Sequence, residues 1–485
     1  MKHFLFNIKN YIQNERIFRT SYIICLLLSS LCFLEYPCLG LTAVNMIWAL
    51  YFLKQRFSCP RMLKRLPYGN LLLLFLISGI CTTFLNQEYH FIDNIIMMYH
   101  ACVCFFLLYG MKKHDSLQMQ MEENMQLFQI LTTLINIIGI LGILFFIIFI
   151  RVDALSYTIG LFDNRYTGFY THPNIAAFIS MIGIIGCHML WKKKKPKTNR
   201  YYLPSWFCIM GICTHFVTIW IADSNASFVY ICVYFFVYTF IRQELCKKIN
   251  LSKLMKIVCI SGMFILCSYI LRNATQTGMV TFIQTIHTPS DISYCEPTDV
   301  DSTATTTTTI EIGRTEQKDL SSGRLDSFFK AFLLFEIKPV MGIGKANIVP
   351  YGETYLVEGF RFFDLHNGYL TILLSCGLVG FIPFMIFLFQ LLKKAHNLLK
   401  NFDTITSAEQ HTFTILISAL LGYGVYALFE RTLLFDITFM VIIFWVLLGQ
   451  FISTTVSYEK EGALYKNWGK SLSRSLRDVQ RFFFR

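Results

Sequence analysis

The segment FFDLHNGYL, residues 362–370, places three polar side chains directly before a long apolar run. They are Asp364, His366 and Asn367. Histidine changes its charge close to neutral pH, so proton transfer is the chemistry that this residue type supports. Asp364 is a weaker candidate for orienting the imidazole. Asn367 more readily holds the end of the segment in place, and we also keep it among the candidate substrate-binding residues. The alternative for His366 is a structural histidine bonded to a backbone carbonyl.

A second candidate is Arg324, in SSGRLDSFFKAFLLFEIKPVMGIG. Two serines can cap a helix that starts here, and apolar residues then recur at helical spacing. Pro339 predicts the end of the helix. A guanidinium near a helix start suits anionic oxygens, although an arginine can also simply mark the lipid headgroups. The serines are Ser321 and Ser322, and the apolar stripe is Leu325, Phe328, Phe329, Phe332 and Phe335.

A third candidate group lies in DNRYTGFYTHPNIAAF. Arg165 falls in an aromatic turn that contains glycine, and Pro173 is suited to the first turn of a helix. His172 and Asn174 flank that proline. A surface turn before a helix explains the pattern equally well. Two arginines in ordered-looking loops nevertheless favour one shared anionic site.

The composition is that of a membrane protein. Of 485 residues, 54% are hydrophobic and 15% are charged, against about 25% charged in a soluble domain. A net charge of +13 fits basic loops that stay in the cytoplasm better than nucleic-acid binding. The 16 cysteines lie mostly in apolar runs and have no zinc spacing. We therefore predict an all-α polytopic membrane protein with no nucleic-acid partner.

Runs of about 20 apolar residues predict transmembrane helices. Twelve are present, of which the second is short and shares a tight turn with the first. They are residues 20–36, 38–53, 67–85, 92–110, 127–150, 174–191, 203–221, 224–241, 254–271, 366–392, 411–429 and 433–452.

Every second loop between these helices is rich in lysine and arginine, which predicts cytoplasmic termini. The chain then divides into helices 1–9 (1–271), a large extracytoplasmic loop (272–365), helices 10–12 (366–456) and a basic cytoplasmic tail (457–485). The loop holds a polar Thr-rich tract at 301–309 and, after it, the amphipathic helix on the outer membrane surface. The three candidate regions all fall on the outer face.

In this arrangement the chain resembles the O-antigen ligase and polysaccharide polymerase superfamily of bacterial surface-glycan assembly. The likeness rests on residues 323–380: an arginine on an amphipathic helix, then Pro-x-x-Gly-x-Gly, then His-Asn-x-Tyr-Leu before further glycines. RYTGFYTHPN matches a second, looser feature. The chain departs from the family at Phe328 and Phe329, where members often have tryptophan. The remaining motif residues are Pro339, Gly342, Gly344, Gly377 and Gly380.

The resemblance implies a GT-C-like fold in the cytoplasmic membrane. It also implies glycan transfer from undecaprenyl pyrophosphate to an acceptor hydroxyl on the outer face, without a metal ion or another cofactor. His366 would take the proton of the hydroxyl. Arg165 and Arg324 would bind the pyrophosphate and stabilise its developing charge, with His172 and Asn367 as further substrate contacts. Partners would be the lipid-linked glycan, membrane lipids and other polysaccharide assembly proteins.

Three alternatives stay open. The acceptor is another repeat unit in a capsule, exopolysaccharide or O-antigen polymerase, which we favour, or a lipid core in a ligase. Twelve spans also fit a transporter or flippase, but the spans have few of the ionisable residues that transport needs. A non-catalytic scaffold is the least favoured.

Overall fold

A computed structural model describes most of the chain. The described residues are 10–58, 66–110, 117–154, 157–191, 202–243, 251–286, 312, 324–356, 365–402 and 407–456. The predictions for Asp364, Ser321, Ser322, the Thr-rich tract and the basic tail concern residues outside these ranges.

Most of the α-helices within these ranges are long and apolar, and fourteen of them are numbered here. The helices before the first strand are α1 (Glu15–Leu28), α2 (Glu35–Phe57), α3 (Gly69–Leu85), α4 (Phe91–Val103) and α5 (Leu117–Phe149), with a π-helical turn at Cys104–Tyr109. After the strands come α6 (Pro173–Leu190), α7 (Ser205–Ile221), α8 (Asn225–Arg242), α9 (Leu251–Ile286), α10 (Arg324–Ile337) and α11 (Ile348–Tyr355). The last three are α12 (Gly368–Lys400), α13 (Ser407–Tyr426) and α14 (Phe439–Val456).

Each of the twelve apolar runs corresponds to one of these helices. Eight helices in the described ranges are long and apolar enough to cross a membrane. Two more, α3 and α7, are apolar but shorter. The prediction of a mainly helical, multi-pass membrane protein is therefore confirmed, while the number of twelve crossings stays a prediction.

One boundary differs from the prediction. Helix α9 continues to Ile286, so the predicted start of the large loop at residue 272 lies inside a helix. A prediction based on hydropathy places the end of a helix where polar residues begin. A helix can nevertheless continue through polar residues, because its backbone hydrogen bonds do not require apolar side chains. Thr281 and Thr285 each donate a hydrogen bond to the carbonyl four residues earlier, and Ile283 is fully buried. The extra turns of α9 are thus supported by local hydrogen bonds and by packing.

A small antiparallel sheet interrupts the helices and was not predicted. Its strands are β1 (Val152–Ala154), β2 (Tyr157–Phe162) and β3 (Arg165–Gly168), in the order β1-β2-β3. Asp163 and Asn164 form the two-residue loop of the β2–β3 hairpin, with φ of 50° and 53°. Positive φ at both positions is the geometry of a tight hairpin turn, and Asp and Asn tolerate it better than most residues. This hairpin fixes where Arg165 lies.

Helix α10 has the amphipathic character that the sequence predicts. Leu325, Phe329 and Phe332 are exposed on one side, whereas Ala331 and Leu334 pack against the protein. The helix ends at Ile337, directly before Lys338-Pro339, as predicted. An exposed aromatic face of this kind suits a helix that lies at a membrane surface.

The glycines that follow α10 let two backbones meet. Helix α12 is broken at Gly377, where φ is 58° and ψ is −167°. The amides of Ile343 and Gly344 donate to carbonyls of α12 at 2.8 and 3.1 Å, and the α12 amides of Leu378 and Val379 donate back to the segment at 2.9 and 3.1 Å. A Cβ on Gly342 would lie 2.4 Å from the Gly377 nitrogen. Here the Gly-x-Gly motif serves chain packing.

Candidate active site at the start of α12

Arg165 is buried behind the site and is held by hydrogen bonds. It begins β3, directly after the hairpin turn, and its side chain crosses to the end of α7. Its Nε donates to the Ala222 carbonyl at 2.9 Å, and Nη2 donates to the Asp223 carbonyl at 3.3 Å. Nη2 also donates to Asn174 Oδ1 at 2.8 Å. Arg165 thus connects the sheet to the first turn of α6.

Arg324 is the first residue of α10 and lies closer to the surface. Its Nη2 is 3.4 Å from Glu430 Oε1, and its guanidinium carbon lies 5.8 Å from the centre of the Phe429 ring. The side chain is 19% exposed. The guanidinium is therefore positioned by a carboxylate and an aromatic ring, and part of it can still meet a ligand.

His366 has an unusual backbone conformation for a residue that is not glycine. Its φ is 44°, in the left-handed region. Nδ1 lies 3.2 Å from Glu430 Oε2, while the side chain is 40% exposed. Backbone strain of this kind is frequent at functional sites, where neighbouring structure enforces it. The ring is oriented by a carboxylate on one edge and remains partly exposed.

Glu430 joins these side chains and was missed from the sequence. It lies between α13 and α14, is 7% exposed, and also accepts a hydrogen bond from Asn174 Nδ2 at 3.1 Å. Through Asn174 and Glu430, the chain of contacts runs from Arg165 to Arg324 and His366. The signal in the sequence was a single acid in the few residues between two apolar runs, where membrane helices seldom place charges.

Arg165, Arg324 and His366 thus lie in one hydrogen-bonded and ionic network that runs through Asn174 and Glu430, while their roles in binding and catalysis stay predictions. Two guanidinium groups share it with one carboxylate, and the histidine ring is the most exposed member. Such a network can hold an anionic group near the arginines and exchange a proton at His366.

His172 caps α6 at the edge of this network. Its Nδ1 accepts a hydrogen bond from the Asn174 amide at 3.1 Å, the contact of an N-cap residue. Loss of hydration against the protein, and then the positive charge of Arg165, lower the pKa of His172; Glu430 opposes this shift. The neutral ring that results is the form that can accept this hydrogen bond. Its predicted contact with substrate stays a prediction.

Asn367 holds the start of α12, and both ends of its amide are occupied. Oδ1 accepts from the Tyr369 and Leu370 amides at 3.0 Å, and Nδ2 donates to the Leu428 carbonyl at 3.1 Å. The side chain is buried. The structure therefore supports the role of fixing the loop end and gives no support to substrate binding by Asn367.

An apolar groove of about 620 Å³ begins beside the network. It lies between α12, α13 and α14. Its α12 residues run from Tyr369 to Ala395, and Leu428 and Leu433 border it on either side of Glu430 in the sequence. Exposed Phe389 and Leu392 show that the groove is open along its side. A long hydrocarbon chain is the kind of ligand that fits such a surface.

Comparison with known proteins agrees with these features. Residues 209–385, about a third of the chain, match the family model described as O-antigen ligase. The match includes Arg324, His366 and the glycines at the break in α12. The comparisons with curated proteins and with solved structures gave no match. Over residues 209–385 the chain is therefore similar to O-antigen ligases, and this likeness supports glycan transfer at a membrane in general terms.

Proposed function

We propose that this chain polymerises surface-glycan repeat units on the outer face of the cytoplasmic membrane. The donor is an oligosaccharide on undecaprenyl pyrophosphate, and the acceptor is a hydroxyl group of another lipid-linked repeat unit. The observation that carries the proposal is the meeting of Arg324 and His366 on Glu430, at the mouth of the apolar groove.

In the proposed reaction, the acceptor oxygen attacks the anomeric carbon of the donor glycan. His366 takes the hydroxyl proton as the new carbon–oxygen bond forms. The bond between that carbon and the pyrophosphate oxygen breaks, and its electron pair leaves with the lipid pyrophosphate. Glu430 orients the imidazole and stabilises it once it is protonated, as the carboxylate does in a catalytic triad.

The two arginines have different parts in this proposal. Arg324 is partly exposed and is the better placed to bind the pyrophosphate directly. Arg165 is buried, with Nε and Nη2 bound to protein oxygens. Its part is to position Asn174, and through it Glu430, and to add positive charge behind the leaving group.

The apolar groove supports a lipid-linked donor. Its position beside Leu428 and Leu433 lets a hydrocarbon chain stay in the bilayer while the pyrophosphate reaches Arg324. This arrangement fits the GT-C-like fold and metal-independent chemistry that the resemblance implies, and both remain part of the proposal.

A reconstitution experiment separates polymerase from ligase. The purified protein is supplied with undecaprenyl-pyrophosphate-linked repeat units alone, and products are followed on gels together with released undecaprenyl pyrophosphate. We expect a ladder of glycan lengths without any other acceptor. Product that forms only after a lipid core is added would instead establish a ligase. Absence of transfer with either acceptor, from protein that binds the donor, would contradict an enzyme and favour transport.

A further inference from the structure

A second cavity, with a mostly polar lining, lies near the end of α12 that is far from His366. Its volume is about 300 Å³, and Leu398 forms part of its wall. Its polar lining consists of Tyr68, Gln390, Lys393, Lys394, Asn397 and Asn401.

The α12 residues of this lining recur every three or four positions and so form one face of the helix. Leu391, on another face, is buried in the protein, and Leu398 is the buried apolar residue of the cavity wall. Tyr68 reaches the cavity from the residue before α3, and its ring packs 6.5 Å from the centre of the Phe387 ring. The cavity is thus built between two helices rather than from one exposed stripe of lysines.

The chemistry of the lining is that of an anion site. It offers two ammonium groups, three side-chain amides and a phenol, and none of the lining residues in the described ranges is acidic. Asn401 Nδ2 donates to the backbone carbonyl of Asn397 at 3.1 Å, which holds the Asn401 side chain against the last turn of α12. Ammonium and amide donors together suit a group with several oxygens and a negative charge, such as a phosphate diester.

The position of the cavity identifies the source of that phosphate. Helix α12 is broken at Gly377, and its second part, residues 378–400, has 23 residues, or about 35 Å of helix, which exceeds the hydrocarbon thickness of about 30 Å. If Asn367 and His366 face outward, as the proposed function requires, Lys393 and Lys394 face the cytoplasmic leaflet. That leaflet carries anionic lipids, and basic pockets between helices on this side bind their headgroups. We propose that this cavity binds the headgroup of an anionic phospholipid.

The test uses the full chain purified in a non-ionic detergent, with phosphatidylglycerol, phosphatidylcholine and inorganic phosphate as probes. Native mass spectrometry measures bound lipid, and thermal unfolding measures stabilisation. The Lys393→Gln/Lys394→Gln variant should lose phosphatidylglycerol affinity by about tenfold or more. The control Lys253→Gln/Lys400→Gln removes the same charge from lysines that do not line the cavity, and should stay within about twofold.

A second variant tests whether the lipid is bound by the cavity itself or only attracted by the positive charge of the protein, because it changes the lining without changing any charge. Asn397→Leu should also weaken phosphatidylglycerol binding while leaving phosphatidylcholine binding unchanged. Equal losses in the two lysine pairs would overturn the proposal, as would inorganic phosphate that displaces the lipid at low millimolar concentration. Binding in detergent requires no glycan transfer, and His366→Ala should bind phosphatidylglycerol normally. A failure here would therefore be distinguishable from a failure of the proposed reaction.

Discussion

Among the individual residues of the site, Glu430 contacts Arg324, Asn174 and His366 and so connects them. Its two oxygens face different partners: Oε1 lies near Arg324 and Asn174, and Oε2 lies near His366. Because Glu430 is largely buried, its carboxylate requires such partners. These contacts hold the Glu430 side chain in one position between Arg324 and His366. Glu430 thus orients His366, and in the proposed reaction the exposed part of the ring faces the acceptor.

Arg324 should be sensitive to the shape of its side chain as well as to its charge. Arg324→Ala should lose both donor binding and transfer. Arg324→Lys should recover only part of each, because an ammonium keeps the charge but lacks the planar fork that grips two phosphate oxygens. Lys330→Ala is the matched control, since Lys330 pairs with Asp326 on the same helix. The measurements are donor binding and glycan transfer by the purified protein. Full activity of Arg324→Lys would show that Arg324 does not bind the phosphate through its planar guanidinium.

His172 should make the folded state sensitive to acid. Its pKa is lowered in the folded protein, so the unfolded chain takes up the proton first as pH falls. Stability should therefore decrease between about pH 7 and pH 5, where the protonated ring also loses its hydrogen bond to the Asn174 amide. His172→Asn keeps a capping oxygen and should flatten this dependence. The measurement is thermal unfolding in detergent across pH, and an identical profile for the variant would contradict this assignment.

Arg165, Arg324 and His366 could be proposed from the sequence because each lies in or next to a polar loop on the predicted outer face. Glu430 had no such setting, because the predicted helices left only three residues between them. Glu430 is 64 residues from His366 and 106 residues from Arg324 in the sequence, so these contacts are decided by tertiary packing. Local pattern carries no information about a contact of that kind.

At the scale of helices and strands, apolar runs predict the helices well because burial in lipid requires them. The β2–β3 hairpin was not predicted, because its strands are short and lie between two segments that strongly predict helices. The Asp163-Asn164 pair was the available clue. The continuation of α9 escaped because hydropathy reports where a helix leaves the membrane, not where it ends.

The junction between the Gly-x-Gly segment and α12 should be intolerant of side chains. Gly377→Ala places a Cβ 2.3 Å from the Val340 carbonyl oxygen and also strains a residue with φ of 58°. We expect destabilisation of at least about 1–3 kcal/mol. Gly262→Ala is the control, because nothing lies within 4 Å of its Cβ and alanine favours the helix. Thermal unfolding compares the two, and equal stabilities would show that α12 can relax at its break.

At the scale of the whole molecule, the proposal depends on which side of the membrane carries the site. The Thr-rich tract should lie on the extracytoplasmic side of the membrane. Thr305→Cys, after replacement of the native Cys295, should react with a membrane-impermeant thiol reagent in intact cells. Lys400→Cys, at the opposite end of α12, should react only after permeabilisation. The reverse pattern would place the network on the cytoplasmic side and remove its access to an outward-facing lipid donor.

Glycan transfer by His366→Ala, measured in single-turnover assays with the purified protein, tests whether His366 is the general base. We expect a fall in transfer of about 10²–10⁴-fold, the usual contribution of a general base, with donor binding unchanged because the imidazole acts on the acceptor. Glu430→Gln should lie between His366→Ala and the wild type. Near-normal transfer by His366→Ala, at equal protein and equal donor occupancy, would contradict the account and leave His366 as a structural residue before α12.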